Sequence, residues 1–431
     1  MIRPVPEAQR EELGVDDAAI LRLETDAIKG HTGKVLVVGP DEGGNALDLA
    51  ELRSRVAERI ESIPRLRQRV DIPRRGRPAW VKAGEIDLDW HVADAGVAAP
   101  LDEAGLRALT GALLAQKLDH ERPLWRIDVA PMEGGATALI ARIHHAMADG
   151  VSAIRIASIL LFDEHRVDPV HEPPARAQEP QGGRTRGLLK VPGALRRELT
   201  PGADSVLDRH IGPQREVARA GFPLERLKAI GHAAGGGVTV NDVILAAVAG
   251  GLRDWLGPAR IGGDIRAQIP VCLHLRGSGR DQIGNKDSFL NVDLPLHEPD
   301  AAVRLRAINA ETSERKLDHD AETLYSFFHA VGRFRPLYKG ITRITSGPRE
   351  FALSVSNVPG PREKPLVLGR PLTEFVSFAE PADRHALRVS VISLGGDLAF
   401  GLCSDPNAVE GLDALAAAIE VSMDELEEAV R

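Results

Sequence analysis

The seven residues His144-His145-Ala146-Met147-Ala148-Asp149-Gly150 constrain this chain more than any other stretch, because of what flanks them. Ala138 to Ile143 is an apolar run of strand length, and Val151 to Leu161 reads as a helix. The two histidines therefore stand where a strand gives way to a helix. Successive strand side chains point to opposite faces, so His144 and His145 should not act together on one atom; one faces an interior or a helix and the other an opening. Imidazole titrates nearest neutrality, which suits it to accept a proton from a hydroxyl in one step and release it in the next. Asp149, followed by a Gly150 that permits a tight backbone, is placed to hold the loop through a buried ion pair or hydrogen bonds. A metal is the other chemical option, since His145 and Asp149 lie about one helical turn apart. Zinc sites usually need three or four protein ligands, and no nearby cysteine or His-x-x-x-His pattern supplies them, so no metal is expected.

His-His-x-x-x-Asp-Gly is also the signature of acyltransferases and condensation domains of the chloramphenicol-acetyltransferase-like superfamily, and the surrounding residues resemble one branch of it, the bacterial wax ester synthase/diacylglycerol acyltransferase family. Pro123-Leu124-Trp125 stands upstream, and Asn241-Asp242 and Ser356-Asn357-Val358-Pro359-Gly360-Pro361 stand downstream, in the expected order from about Leu13 to about Leu426. The resemblance implies an α/β fold of mixed sheets, built as two chloramphenicol-acetyltransferase-like halves with a channel between them. It implies a catalytic group of His145, His144, Asp149 and Gly150, with Trp125, Asn241, Asp242, Ser356, Asn357 and Glu24 contacting substrate. Acyl-CoA would be the co-substrate, with no bound cofactor, and a long-chain alcohol or diacylglycerol the acceptor. Two positions depart from the family's habit: Thr32 stands where an apolar residue is usual, and Lys34 where an apolar or small one is. Both bear on the local acyl or acceptor contacts.

At 431 residues the chain is too long for one ordinary core. The stretch from Asp163 to about Phe222 mixes prolines, glycines and charges as linkers do. The expected division is an N-terminal half over residues 1–165 carrying the histidine motif, a linker or crossover over 166–221 with an embedded helix near Gly193 to Glu198, and a C-terminal half over 222–431. A formal charge of -8 gives no general pull toward nucleic acid or an anionic membrane. Cys272 and Cys403 have no metal-type spacing, which makes a reducing cytoplasm the simplest setting. The start lacks the apolar core of a secretion signal, and no apolar run approaches the ~18–20 residues that cross a bilayer. Contact with a membrane or lipid inclusion would then be peripheral.

Several residues carry two readings. Glu24 ends a short helix begun by Asp16 and Asp17, and is either an ordinary helix-end carboxylate or a channel residue. Trp125 is a core residue by default, or a wall of the acceptor pocket if a hairpin brings its ring near His145. Thr239 and Asp242 have capping-box spacing, and the alternative puts Asn241 in the channel with Asp242 bracing it. Ser356 and Asn357 lie at a strand end, where polar residues are common. His91 and His120 are isolated and read as structural. Helices are expected over Leu47 to Ser62, Leu106 to Leu118 and Pro223 to Ala234, around Arg304, and from Leu412 to Leu426. Strands are expected at His31 to Val38, Arg65 to Val70, Ile86 to Val92, Ile269 to Leu273, Ser288 to Leu294 and Phe351 to Val358, with a hairpin of Leu387 to Leu394 and Leu398 to Cys403. No Gly-x-Ser-x-Gly elbow is present, so a covalent acyl-enzyme is not suggested. Three function classes follow: neutral-lipid synthesis, acyl transfer to another alcohol or amine such as a specialised metabolite, and a non-catalytic lipid-binding module.

Overall fold

The computed structural model describes residues 10–73, 76–164, 205–272, 287–318 and 351–431. In the first half, β1 (Arg10–Glu12) and α1 (Val15–Leu23) precede β2 (His31–Val38) and α2 (Leu49–Arg59). Then come β3 (Gln68–Asp71), β4 (Ala79–Lys82), α3 (Leu88–His91), β5 (Val92–Asp94) and α4 (Glu103–Leu114). The hairpin of β6 (Trp125–Pro131) and β7 (Thr137–His144) runs into α5 (Gly150–Leu161). The second half begins with β8 (Glu216–Pro223), α6 (Leu224–Ala234), α7 (Val240–Leu256), β9 (Ile265–Cys272), β10 (Asp287–Leu294) and α8 (Ala301–Asp318). It ends with β11 (Leu353–Val358), β12 (Leu366–Val367), β13 (Arg370–Ala379), β14 (Leu387–Leu394), β15 (Asp397–Ser404) and α9 (Leu412–Val430). The helix expected near Gly193 to Glu198 and the Gly284-Asn285 turn lie outside the described residues.

Two six-stranded sheets dominate, ordered β12-β13-β2-β7-β6-β5 and β10-β9-β11-β14-β15-β8, with a smaller β1-β4-β3 sheet beside them. Both large sheets mix parallel and antiparallel pairs, such as β5 with β6 and β6 with β7. This is the mixed α/β architecture the sequence implied. The halves are not self-contained, because β13 leaves the second half and runs antiparallel to β2, pairing Ser377 with Lys34 and Ala379 with Thr32.

The second sheet has two unlike faces. Leu353, Val355, Val389, Val391, Phe400 and Leu402 point into a core shared with α7 and α9. Alternation sends Gln268, Ser354, Ser356, Arg388 and Ser390 to the opposite face, where Ser354 is registered with Arg388 and Ser356 with Ser390. That face looks toward the first half: Ile392 and Leu394, farther along β14, belong to the first half's apolar cluster.

Two expected strands are helical turns. Pro64–Arg67 forms a 3-10 turn with the proline at its start, where a missing N–H costs nothing, and the strand begins only at Gln68. Leu88–His91 forms a helical turn because the Asp87 carboxylate accepts from the Trp90 N–H at 3.2 Å, so the extended run shrinks to Val92–Asp94.

Candidate active site

The site is built on the end of β7, where His144 is registered opposite His31 of β2. On one face of these strands, Val35, Val37, Ala138 and Ile140 pack against Leu106, Leu113 and Leu114 of α4. By alternation His31 and His144 share that face. His31 meets the Leu114 carbonyl at 3.1 Å, and burial, with Arg142 next in weight, pushes its pKa well below the ordinary value. His144 is buried, and its Nδ1 accepts from the Ala146 N–H at 3.1 Å, which places the ring proton on Nε2. That Nε2 lies 2.8 Å from Glu24 Oε1, with the oxygen set off the N–H axis, and the same oxygen meets His120 Nε2 at 2.9 Å. Burial would raise Glu24, but the hydrogen bond from His120 and the close contact with His144 outweigh it and hold the carboxyl at about 2. His120, isolated in sequence, is thus tied to the motif through Glu24.

Gly30 closes this side. Its φ of +75° favours glycine, and a Cβ there would lie 2.3 Å from His144 Nε2. The Gly30 carbonyl accepts the His145 N–H at 2.8 Å. Glu380, just past β13, accepts from the N–H of Lys29 at 2.8 Å and of Gly30 at 2.7 Å, and from Arg215 Nη2 at 2.7 Å. A carboxylate from the second half therefore fixes the loop that fixes both histidines.

His145 is half-buried and follows the strand onto the other face, with Thr32, Lys34 and α5. Desolvation, then the charges of Arg388, Lys34 and His144, lower its pKa to about 3. The residue as a whole is only half-buried, and its neutral ring is set among cations. Lys34 is buried and donates to Ser377 Oγ at 2.6 Å and Thr32 Oγ1 at 3.1 Å. Burial lowers its pKa to about 8, against the opposing pull of Asp149. Asp149 caps α5, its Oδ1 accepting from the Ser152 N–H at 2.7 Å, while its Oδ2 is buried without a hydrogen bond. Gly150, the first residue of α5, lies beside Val358 of the second half, and a Cβ there would make an ordinary contact with it at 3.4 Å.

The remaining candidates are placed as follows. The Trp125 ring is committed to the first core, stacked on His91 at 4.2 Å between centroids and donating Nε1–H to the Leu66 carbonyl at 2.9 Å. His91 is buried and bonded to the Trp125 carbonyl at 2.8 Å, a structural histidine. Asp242 completes a capping box with Thr239 and accepts from Asn309 at 3.0 Å and Thr312 at 2.7 Å. Burial opposes ionisation there, but these donors keep its pKa below the ordinary value. Asn241 is half-buried in the first turn of α7. Ser356 meets Ser390 at 3.3 Å on the inward face, and Asn357 is exposed at the end of β11. Glu380, Arg215 and Arg388 carried no sequence signal, since each acts through partners far away in the chain.

Comparison with known proteins agrees with this architecture. Residues 13–200 match the wax ester synthase/diacylglycerol acyltransferase catalytic domain, and residues 283–427 match the C-terminal domain of the same family. A probable diacylglycerol O-acyltransferase, tgs2, of Mycobacterium tuberculosis H37Rv is 29% identical over 450 residues, covering 96% of this chain and 98% of the relative. A second protein of that organism, provisionally named a diacylglycerol O-acyltransferase, is 30% identical over 448 residues, covering 93% of this chain and 87% of its own. Among solved structures, the wax ester synthase/diacylglycerol acyltransferase of Marinobacter aquaeolei VT8 superposes with a TM-score of 0.72 at 23% identity, covering 97% of this chain and 99% of that one. A starter condensation domain of rhizomide synthetase in complex with C8-CoA superposes with a TM-score of 0.64 at 14% identity, covering 98% and 95%.

Proposed function

Because the chain belongs to the wax ester synthase/diacylglycerol acyltransferase family, we propose that it is an acyl-CoA-dependent O-acyltransferase working by general-base catalysis at His145, with a long-chain alcohol or diacylglycerol as acceptor. That the enzyme is an acyltransferase follows from its membership. The residue roles rest on the different fates of the two histidines. His144 is buried against Glu24 with its proton placed, whereas His145 is neutral and half-buried on the face shared with Lys34 and α5.

In the reaction His145 takes the acceptor's hydroxyl proton as the oxygen attacks the thioester carbonyl. The tetrahedral intermediate collapses, the C–S bond breaks, and the imidazolium returns the proton to the departing thiolate. Nothing is carried on the polypeptide. A base with its pKa lowered to about 3 is weak, but negative charge developing on the carbonyl oxygen offsets the surrounding cations and restores its affinity for the proton. Asp149 holds the loop by capping α5. No described helix is long and apolar enough to cross a membrane, so contact with lipid substrate would be made at a surface.

The test is thiol release from acyl-CoAs of graded length against fatty alcohols, diacylglycerol and short alcohols, with products identified by mass. His145→Ala is expected to lower kcat by ~10²–10⁴ in a folded protein. His144→Ala should act mainly by lowering stability, since it strips Glu24 of a buried partner. Reversed behaviour would show that the wrong histidine has been made the base.

A further inference from the structure

Arg388 stands on the inward face of the second sheet, level with Ser354 of β11 and Cys403 of β15. Its Nε donates to the Glu380 carbonyl at 3.0 Å, which aims the side chain. Two further hydrogen bonds link this anchor to the base: the Glu380 carboxylate holds the Gly30 N–H at 2.7 Å, and the Gly30 carbonyl holds the His145 N–H at 2.8 Å. The guanidinium thus belongs to the same small neighbourhood as His145. The Glu380 carboxylate is itself matched by Arg215 at 2.7 Å. Among the described residues, Arg388 has no carboxylate in ion-pair contact and no hydrogen bond at Nη1 or Nη2, and the side chain is only half-buried. Its charge is felt at His145 more strongly than any other.

A cation with no carboxylate in direct contact, set near a proton acceptor, opposes the step the acceptor performs unless negative charge arrives with it. Acyl transfer brings one unit of negative charge, on the thioester carbonyl oxygen. We propose that Arg388 donates its free Nη–H groups to that oxygen and holds the oxyanion of the tetrahedral intermediate. This rests on His145 as the base and adds the group that receives the negative charge. When the acceptor oxygen attacks, the carbonyl π pair moves onto the oxygen facing Arg388. When it returns, the C–S bond breaks and the thiolate leaves with the proton from His145. A fixed, partly desolvated fork needs no reorganisation at the moment of reaction, which makes such a donor effective.

The test uses the full chain with Arg388→Gln and Arg388→Lys, measured by thiol release with saturating acceptor. Arg388→Gln is expected to lower kcat by ~10²–10³, with KM for acyl-CoA changed much less, and Arg388→Lys to recover part of the loss. A second readout is the pH profile. The titratable and charged groups acting on His145 are Arg388 from β14, Lys34 and His31 from β2 and His144 from β7, with Asp149 of α5 acting on Lys34. Removing Arg388's charge makes His145 more basic, so the acid limb of kcat/KM should move to higher pH in Arg388→Gln and stay near the wild-type position in Arg388→Lys. A purely structural arginine would lower the melting temperature without moving that limb. A folded Arg388→Gln enzyme with kcat within about threefold of wild type would overturn the proposal. Should the glutamine variant not fold, wild-type kcat in Arg388→Lys would overturn it equally, because the lysine lacks the two-pronged donor. Activity surviving in His145→Ala would instead strike the general-base reading and leave the Arg388 result interpretable.

Discussion

At the scale of single residues, the motif's alternation was legible and its consequences were not. Two adjacent histidines at a strand end must part to opposite faces, and they do. What each meets was hidden: Glu24 reaches His144 and His120 from far along the chain, and a carboxyl at a helix end reads the same whether it faces solvent or a histidine. Gly30 carried no visible signal, yet its replacement should be among the most damaging. Gly30→Ala combines a left-handed backbone, costing about 1–2 kcal/mol for a residue with a Cβ, with a methyl carbon driven into His144. Urea denaturation should show at least that loss, and transfer should fall with it because the same residue holds the His145 backbone. The pH dependence follows from His145. With its pKa lowered to about 3, chiefly by burial, the ring proposed as the base is already unprotonated across the neutral range, so kcat/KM should not fall between pH 8 and pH 5 through its protonation. An acid limb at pH 6–7 that is lost in His145→Gln would contradict that account.

At the scale of elements, periodicity revealed what buries its own stripe. The β14–β15 hairpin, the helices α2, α6 and α9, and the strand β2 all lie where their apolar spacing put them. The errors at Pro64–Arg67 and Leu88–His91 arose where a proline and a capping aspartate outweighed alternation over four residues. β13 shows the other limit, since a pattern of apolar side chains identifies a face and not the sheet it joins. Glu380, at the end of that strand, is the element-scale latch, and it supports a prediction. Glu380→Ala would strip two backbone N–H groups of their acceptor and leave the fully buried Arg215 side chain without its carboxylate. Stripping one partner from a buried ion pair typically costs 3–5 kcal/mol, which should appear as a lower urea midpoint. Glu380→Gln, which keeps an acceptor oxygen but not the charge, should lose less.

At the scale of the whole molecule, the buried imidazoles give the fold a direction of pH sensitivity. His91 and His385 are lowered to about 4 and His145 to about 3, all chiefly by burial, and His31 is lowered well below its ordinary value for the same reason. An unfolded chain binds protons at these rings from about pH 6.5 downward, whereas the folded one does not. Their contribution is therefore complete above that pH and is lost as the pH falls toward 4. His120, raised by Glu24, acts in the opposite sense, but it is one ring against four. The melting temperature should drop progressively from pH 7 to pH 5, and a flat profile would mean that these rings are hydrated in the native state. The shared strand carries one more consequence, for synthesis. Until residues 370–379 leave the ribosome, β2 has an open edge where β13 will later pair, close to the histidines. An unpaired edge invites pairing with other chains. The nascent first half must therefore wait for most of the polypeptide before its reaction centre exists, and a gene cut near the middle should yield fragments that aggregate separately and regain turnover only when made together.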